Sequence, residues 1–376
     1  MDSPKDYATF AGMKKWVVIV WIGFSFCLHA QNEKKYFDAD ITYFQGTILK
    51  HNPDISHLIT NHPEGMMLSL QQRTFGNKEW QRLYNYPDYG FTLIYQDLKN
   101  QSLGTNYSLY AHWNFYFLKR HLTLKIGQGI AYTTNPFDID NNFRNVAYGS
   151  HLLSSTIAFL NFEKKNILKN LGVKAGLGII HYSNANVKAP NKSTNTLTFQ
   201  TGVTYSFQED FPDYVAKEKG EVKSNKPLKF GFFYRGGVNE TDVIGSGQYV
   251  FHTIGGFVDK KINKKSTLVA GTELFISEAL KRFIEFRANA EFADSGTGDE
   301  DSKRVGIFLG HELTVNRVSL ISQLGFYAYY PFDFEGRFYN RLGARYYFSN
   351  NWYASVTVRS HAAKAEAVEF TIGYKL

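Results

Sequence analysis

The sequence predicts an all-β fold, a transmembrane antiparallel β-barrel of about sixteen strands, and three observations predict it. Apolar residues recur at every second position in many separate segments. Turns of two or three polar residues alternate with much longer connections. The N-terminus carries an export signal, and no later stretch is apolar for the roughly 20 residues that a bilayer-crossing helix needs. Composition agrees: 32 Phe, 25 Tyr and 31 Gly against 9 Pro suit aromatic-rich strands and not a bundle of membrane helices.

At the N-terminus, Met13-Lys14-Lys15 precedes an uncharged stretch from Trp16 to Leu28 and then His29-Ala30-Gln31. A basic start, a short apolar core and a small residue before a polar chain make a signal peptide over 1–30, cleaved after Ala30. Residues ahead of Met13 read as a start-site extension. Bulky Phe26 argues against lipid attachment at Cys27, and cleavage removes that only cysteine, so the mature chain has no thiol, disulfide or Cys-based metal site.

Strands follow. In 366–376, Val368, Phe370, Ile372, Tyr374 and Leu376 share one face, with Glu369, Thr371, Gly373 and Lys375 on the other. In 338–348, Leu342, Ala344, Tyr346 and Phe348 oppose Arg341, Gly343, Arg345 and Tyr347. In 228–238, Leu228, Phe230, Phe232 and Tyr234 oppose Lys229, Gly231 and Arg235, and 305–315 repeats the pattern. Period two means strands. The Arg, Lys and Gly opposite the apolar face suit a barrel lumen better than the core of a soluble sandwich. Short turns at Lys119-Arg120, Asn316-Arg317 and Ser349–Asn351 alternate with longer connections at 133–149, 277–303 and 329–337, as periplasmic turns and outer loops do. One charged connection, 208–227, is long where turns should be short. It splits the strands into a group over 31–207 and a further group over 228–376, about eight each. It reads as a linker within one barrel in preference to a joint between two. Segment 278–290 has helical spacing and caps a loop. The formal charge of +8 suits an outer leaflet rich in phosphate, although turns such as Lys260-Lys261 and Lys264-Lys265 supply much of it. Nothing calls for nucleic acid.

The chemistry concentrates in Gly176-Leu177-Gly178-Ile179-Ile180-His181-Tyr182-Ser183-Asn184 and the following Lys188-Ala189-Pro190-Asn191-Lys192-Ser193-Thr194-Asn195. Val173, Ala175, Leu177, Ile179, His181 and Ser183 share the apolar face of one strand. If the next strand pairs as a hairpin, Asn195 returns beside them. A neutral imidazole there can take the Ser183 proton as the hydroxyl attacks an ester carbonyl, then protonate the leaving alcohol. A His and a Ser near a strand end also serve simply as interfacial polar residues; what favours chemistry is that polar groups on a lipid-facing wall are costly.

His181-Tyr182-Ser183-Asn184-Ala185 followed by Pro190-Asn191 resembles the signature of the PagL-type lipid A 3-O-deacylases, outer-membrane barrels of the acyloxyacyl hydrolase group. The likeness is specific over 181–195 and extends over 38–206; 228–376 lies outside that family's eight-stranded pattern. It implies His181 as base, Ser183 as nucleophile, Asn191 as a side-chain donor to the oxyanion, and a backbone donor at Asn186, where the family has glycine. Asn184 supports the site. The substrate implied is lipid A of lipopolysaccharide in the outer leaflet, with no metal or cofactor. The family's glutamate falls on Asn195, whose carbonyl can orient His181 but not stabilise the imidazolium by charge. In a Ser-His-Asp protease the Asp-to-Asn change costs about 10⁴ in rate. The competing function is a non-catalytic barrel, a surface-binding protein or a channel, since about sixteen strands in one ring can enclose a pore. His51, His57 and His62 match no standard metal spacing and read as loop residues. Arg235, Arg341 and Arg345 read as lining a wet lumen.

Overall fold

The computed structural model describes residues 34–217, 226–290, 296–362 and 364–376; the signal peptide and its cleavage site lie outside them. Among the described residues are sixteen strands, all antiparallel: β1 Phe37–Ile48, β2 Glu64–Gln72, β3 Asp88–Asp97, β4 Thr105–Phe117, β5 Leu122–Thr133, β6 Leu152–Leu168, β7 Leu171–Ser183, β8 Thr194–Ser206, β9 Lys229–Asn239, β10 Tyr249–Lys261, β11 Ser266–Ser277, β12 Arg304–Val315, β13 Val318–Tyr329, β14 Phe338–Tyr347, β15 Trp352–His361 and β16 Lys364–Lys375. A helix, Glu278–Asn289, stands where helical spacing predicted one, with the Ser277 hydroxyl accepting the Leu280 N–H at its start.

The expectation of one ring is corrected: the strands form two closed barrels, β1–β8 and β9–β16. β8 returns to β1, with Val203 opposite Ile41, and β16 returns to β9, with Ile372 opposite Tyr234. Alternation encodes which face of a strand is apolar but not which strand it closes against, so this point was not legible locally.

Eight strands leave an interior that side chains fill. Outward positions such as Leu68, Leu93, Leu177, Phe199, Phe230 and Phe370 are exposed large hydrophobics, the lipid-facing surface. Inside the first barrel, buried Asp40 pairs with Lys174 at 2.6 Å and Lys125 at 3.4 Å, below a cluster of Phe44, Met67, Tyr110, Ile157, Phe159 and Tyr182. Inside the second, Arg341 bonds Glu369 at 2.5 Å and Glu273 at 3.0 Å, Arg304 bonds Glu366 at 2.5 Å, and Arg345 bonds Glu312 at 3.0 Å. Arg235 pairs with Glu273. These arginines are thus buried partners in a packed ion-pair network, not the lining of a wet channel. The pore that a single sixteen-stranded ring would enclose does not form.

On the turn side, 208–227 is not the only long connection. Residues 73–87 between β2 and β3 carry a short helix, Glu79–Leu83, and dock on the start of the linker. Phe75 stacks on Tyr214 at 5.3 Å, and the Val215 N–H donates to the Phe75 carbonyl at 2.8 Å. The same connection reaches the second barrel: the Tyr84 hydroxyl donates to the Thr314 carbonyl at 2.8 Å, and Lys264 pairs with Glu79.

Candidate functional site

The hairpin β7–β8 places the predicted residues. His181 lies directly opposite Asn195 in the register. Its parity is outward: Lys174, Ile180 and Tyr182 point into the lumen and are buried, while Val173 and Leu177 on the His181 face are exposed. His181 and Ser183 are two residues apart on that face, about 7 Å along the strand, within reach of each other's side chains. The site therefore sits at the top rim of the apolar outer wall.

His181 Nδ1 meets Asn195 Oδ1 at 2.7 Å. A carbonyl oxygen can only accept, so this contact places the proton on Nδ1 and leaves Nε2 as the basic nitrogen. Ser183 is buried under the 184–193 loop. Its hydroxyl donates to Asn191 Oδ1 at 3.0 Å, and its oxygen accepts the Ala185 N–H at 2.9 Å. The Asn184 N–H also donates to Asn191 Oδ1, at 3.0 Å, which fixes which way that amide faces. Asn186 has φ +63°, the left-handed conformation that Asn tolerates and glycine prefers. Its N–H donates to Asn184 Oδ1 at 3.0 Å. In this resting arrangement Ser183 bonds Asn191, not His181, and the Asn186 N–H is engaged within the loop.

The loop is held closely by the β5–β6 connection. The Lys192 and Ser193 N–H groups donate to Val146 and Ala147 carbonyls, each at 3.1 Å. Gly149 is required by this approach, because a Cβ there would lie 2.4 Å from the Lys188 oxygen and 2.5 Å from the Ala189 oxygen. Gly149→Ala must therefore push the loop outward. We expect Gly149→Ala to loosen the loop over Ser183 and to speed trypsin cleavage after exposed Lys188, with both barrels still folded; a proteolysis time course beside wild type checks it. Above the site, Arg144, His151, Lys188 and Asp138 line a polar basin of about 780 Å³. The Asn141 and Asp140 backbone N–H groups hold the Asp138 carboxyl below the usual carboxylate range.

One group of residues escaped the sequence reading. Gln128, Ser154 and Thr156 share the outward face: Ser154 is opposite Ser183, Thr156 opposite His181, and Gln128 opposite Thr156. Gln128 joins them, accepting from Thr156 at 2.6 Å and donating to Ser154 at 3.0 Å. The signal was present, since Gln128 interrupts the series Leu124, Ile126, Ile130, Tyr132, and Ser154 and Thr156 interrupt Leu152, Leu160, Phe162. The three loop histidines bond backbone carbonyls: His51 that of Lys192 in the loop over Ser183, His57 that of Arg144 and His62 that of Gly46.

The family model described as lipid A 3-O-deacylase (PagL) matches residues 64–204, and that described as acyloxyacyl hydrolase, C-terminal domain, matches residues 228–376. The chain belongs to the PagL-type acyloxyacyl hydrolase family. All six candidate residues of this PagL-type chain, His181, Ser183, Asn184, Asn186, Asn191 and Asn195, lie inside the first match. No curated protein matches it. Among solved structures it is similar, at 8% identity, to CdiB from Acinetobacter baumannii, covering 92% of this chain and 61% of that one, with a TM-score of 0.18. It is also similar, at 8% identity, to the Acinetobacter baumannii outer membrane protein Omp33, covering 92% of this chain and 98% of that one, with a TM-score of 0.16. A mutant of Rh. blastica porin matches at 8% identity over 91% of this chain and 99% of that one, with a TM-score of 0.18. At such scores the PagL-type fold described above rests on its own strand pairing.

Proposed function

We propose that this PagL-type chain is an outer-membrane ester hydrolase that removes a 3-O-linked acyl chain from lipid A, with Ser183 as nucleophile and His181 as base. The observation that carries the reading is the 2.7 Å contact from His181 Nδ1 to Asn195 Oδ1 on the outward wall, with Ser183 two residues along the same face. A lipid ester reaches that wall from the outer leaflet without leaving the membrane.

Ser183 turns its hydroxyl from Asn191 to His181 Nε2, which takes the proton as Oγ adds to the ester carbonyl. The developing oxyanion is received by Asn191 Nδ2, once that amide turns the Oδ1 it presents at rest away from Ser183, and by the Asn186 N–H, released from Asn184 Oδ1. Collapse of the tetrahedral intermediate expels the sugar hydroxyl, protonated by His181. Water activated by His181 then releases the fatty acid from Ser183. The polar strip of Gln128, Ser154 and Thr156 faces the polar atoms beside the ester, and the basin with Arg144, His151 and Lys188 receives the anionic headgroup.

The test is purified protein in detergent with lipopolysaccharide, followed by mass spectrometry of lipid A. Loss of one 3-O acyl chain supports the reading; intact lipid A with ion conductance in a planar bilayer sinks it. Asn195→Glu supplies the missing charge opposite His181. We expect it to raise kcat about 10- to 100-fold, less than the ~10⁴ seen for the protease Asp, because that loss came through a wrong tautomer. Here Oδ1 already faces Nδ1. An unchanged or lower rate counts against the missing charge opposite His181 as a limit on the reaction.

A further inference from the structure

The second barrel meets the site loop at one buried residue. Glu240 follows β9 at the head of the β9–β10 loop and is 3% exposed. Its Oε2 accepts the Ala189 N–H at 2.8 Å, and its Oε1 accepts the Gly247 N–H at 3.1 Å. Its own N–H donates to the Asn186 carbonyl at 3.0 Å, and its carbonyl accepts Asn186 Nδ2 at 3.3 Å. One carboxylate thus bridges a backbone N–H from each barrel, while the Glu240 backbone grips the residue at the proposed oxyanion position. Nearby, Gln248 Nε2 donates to the Val187 carbonyl at 2.8 Å.

We infer that Glu240 is a positioning residue that locks the β7–β8 loop, so that the second barrel completes the geometry of a site carried on the first. The inference rests on the hydrolase reading above. Physically it follows from what holds the loop. Asn186 and Ala189 are buried, so their backbone groups need partners, and on this side Glu240 supplies them. Hydrogen bonds to an ionised carboxylate are roughly twice as strong as neutral ones. Asn186 also holds a left-handed φ of +63°, which Asn tolerates at modest cost and which its bonds to Glu240 help to keep. Without the carboxylate, Ala189 loses its partner and the β9–β10 loop its anchor at Gly247, so the Glu240 backbone no longer holds Asn186 in place and the loop carrying Asn186 and Asn191 can relax.

The test compares wild type, Glu240→Ala, Glu240→Gln, Ser183→Ala and Tyr84→Phe as full chains in detergent. Folding of each is checked by the heat-induced mobility shift on gels. Two readouts are taken: kcat and KM on a lipid A with ester-linked 3-O acyl chains, and the rate of trypsin cleavage after exposed Lys188. Glu240→Ala is expected to lower kcat about 10²-fold, to leave KM nearly unchanged and to speed cleavage. Glu240→Gln keeps one acceptor, turns an amide against the other N–H, and falls between. Tyr84→Phe removes one of the inter-barrel bonds at the opposite end and should change neither readout. Wild-type kcat and wild-type protection in Glu240→Ala overturn the inference, as does an equal loss of kcat in Tyr84→Phe, which would make barrel association the cause. A wild type that spares lipid A, with protection still dependent on Glu240, sinks the hydrolase reading while upholding the clamp.

Discussion

Ser183→Ala is expected to stop 3-O deacylation, lowering kcat by about 10⁴-fold or more, with His181→Ala matching it. The two side chains act as one unit: without the base the hydroxyl is a poor nucleophile, and without the hydroxyl the base has no proton to take. The double variant should therefore be no slower than either single one, since losses of residues that act together do not add. Multiplying losses would mean two independent roles and contradict the mechanism. The barrel should survive, because Ser183 contributes a side-chain bond to Asn191 and one accepted from Ala185, both at a loop rim. The residual rate in the single variants reports what the oxyanion donors contribute alone. Lipid A mass spectra over a time course, alongside the mobility shift for folding, provide the measurement.

How much of this was written locally in the chain differs by level. The strands were legible because each outward residue is exposed to lipid and each inward one buried, so Phe370 and Glu369 report opposite environments through a period of two. The His181–Ser183 face and the return of Asn195 were legible for the same reason, since parity and a hairpin fix them. Closure into two rings was not: the pairing of Val203 with Ile41 depends on strand tilt and shear summed over eight strands. The connection 73–87 carries no signal of its own that it docks on Tyr214 and Val215. Gln128, Ser154 and Thr156 were visible as interruptions of an apolar series, but only pairing across β5, β6 and β7 places them beside His181 and Ser183. Glu240, distant in sequence from Asn186, reads as one more acidic loop residue until the two barrels are set side by side.

Arg341→Met is expected to destabilise the second barrel by about 3 kcal/mol, because removing the guanidinium shared by two buried carboxylates leaves each of them less well compensated. Arg341, Glu273 and Glu369 have fully buried side chains, and Arg341 bonds both carboxylates. Glu273 keeps Arg235 and the Tyr339 hydroxyl, and Glu369 keeps Arg359 at 3.3 Å and the Thr357 hydroxyl. Neither set replaces the guanidinium that lay between them. Neutralising one of the two carboxylates should therefore recover part of the loss: Arg341→Met with Glu369→Gln is expected to be more stable than the sum of the two single changes, by a coupling of about 0.5–3 kcal/mol. Denaturant unfolding in detergent micelles, followed by the mobility shift, measures all four chains. A strictly additive double variant would show that the network is a row of independent contacts. The same chains separate support from positioning. At a temperature where Arg341→Met remains folded, the β9–β10 loop still presents Glu240, so deacylation should proceed at the wild-type rate, unlike in Glu240→Ala. A rate that falls with Arg341 before the barrel unfolds would mean that the lumen network, and not the loop contact alone, sets the geometry of the site.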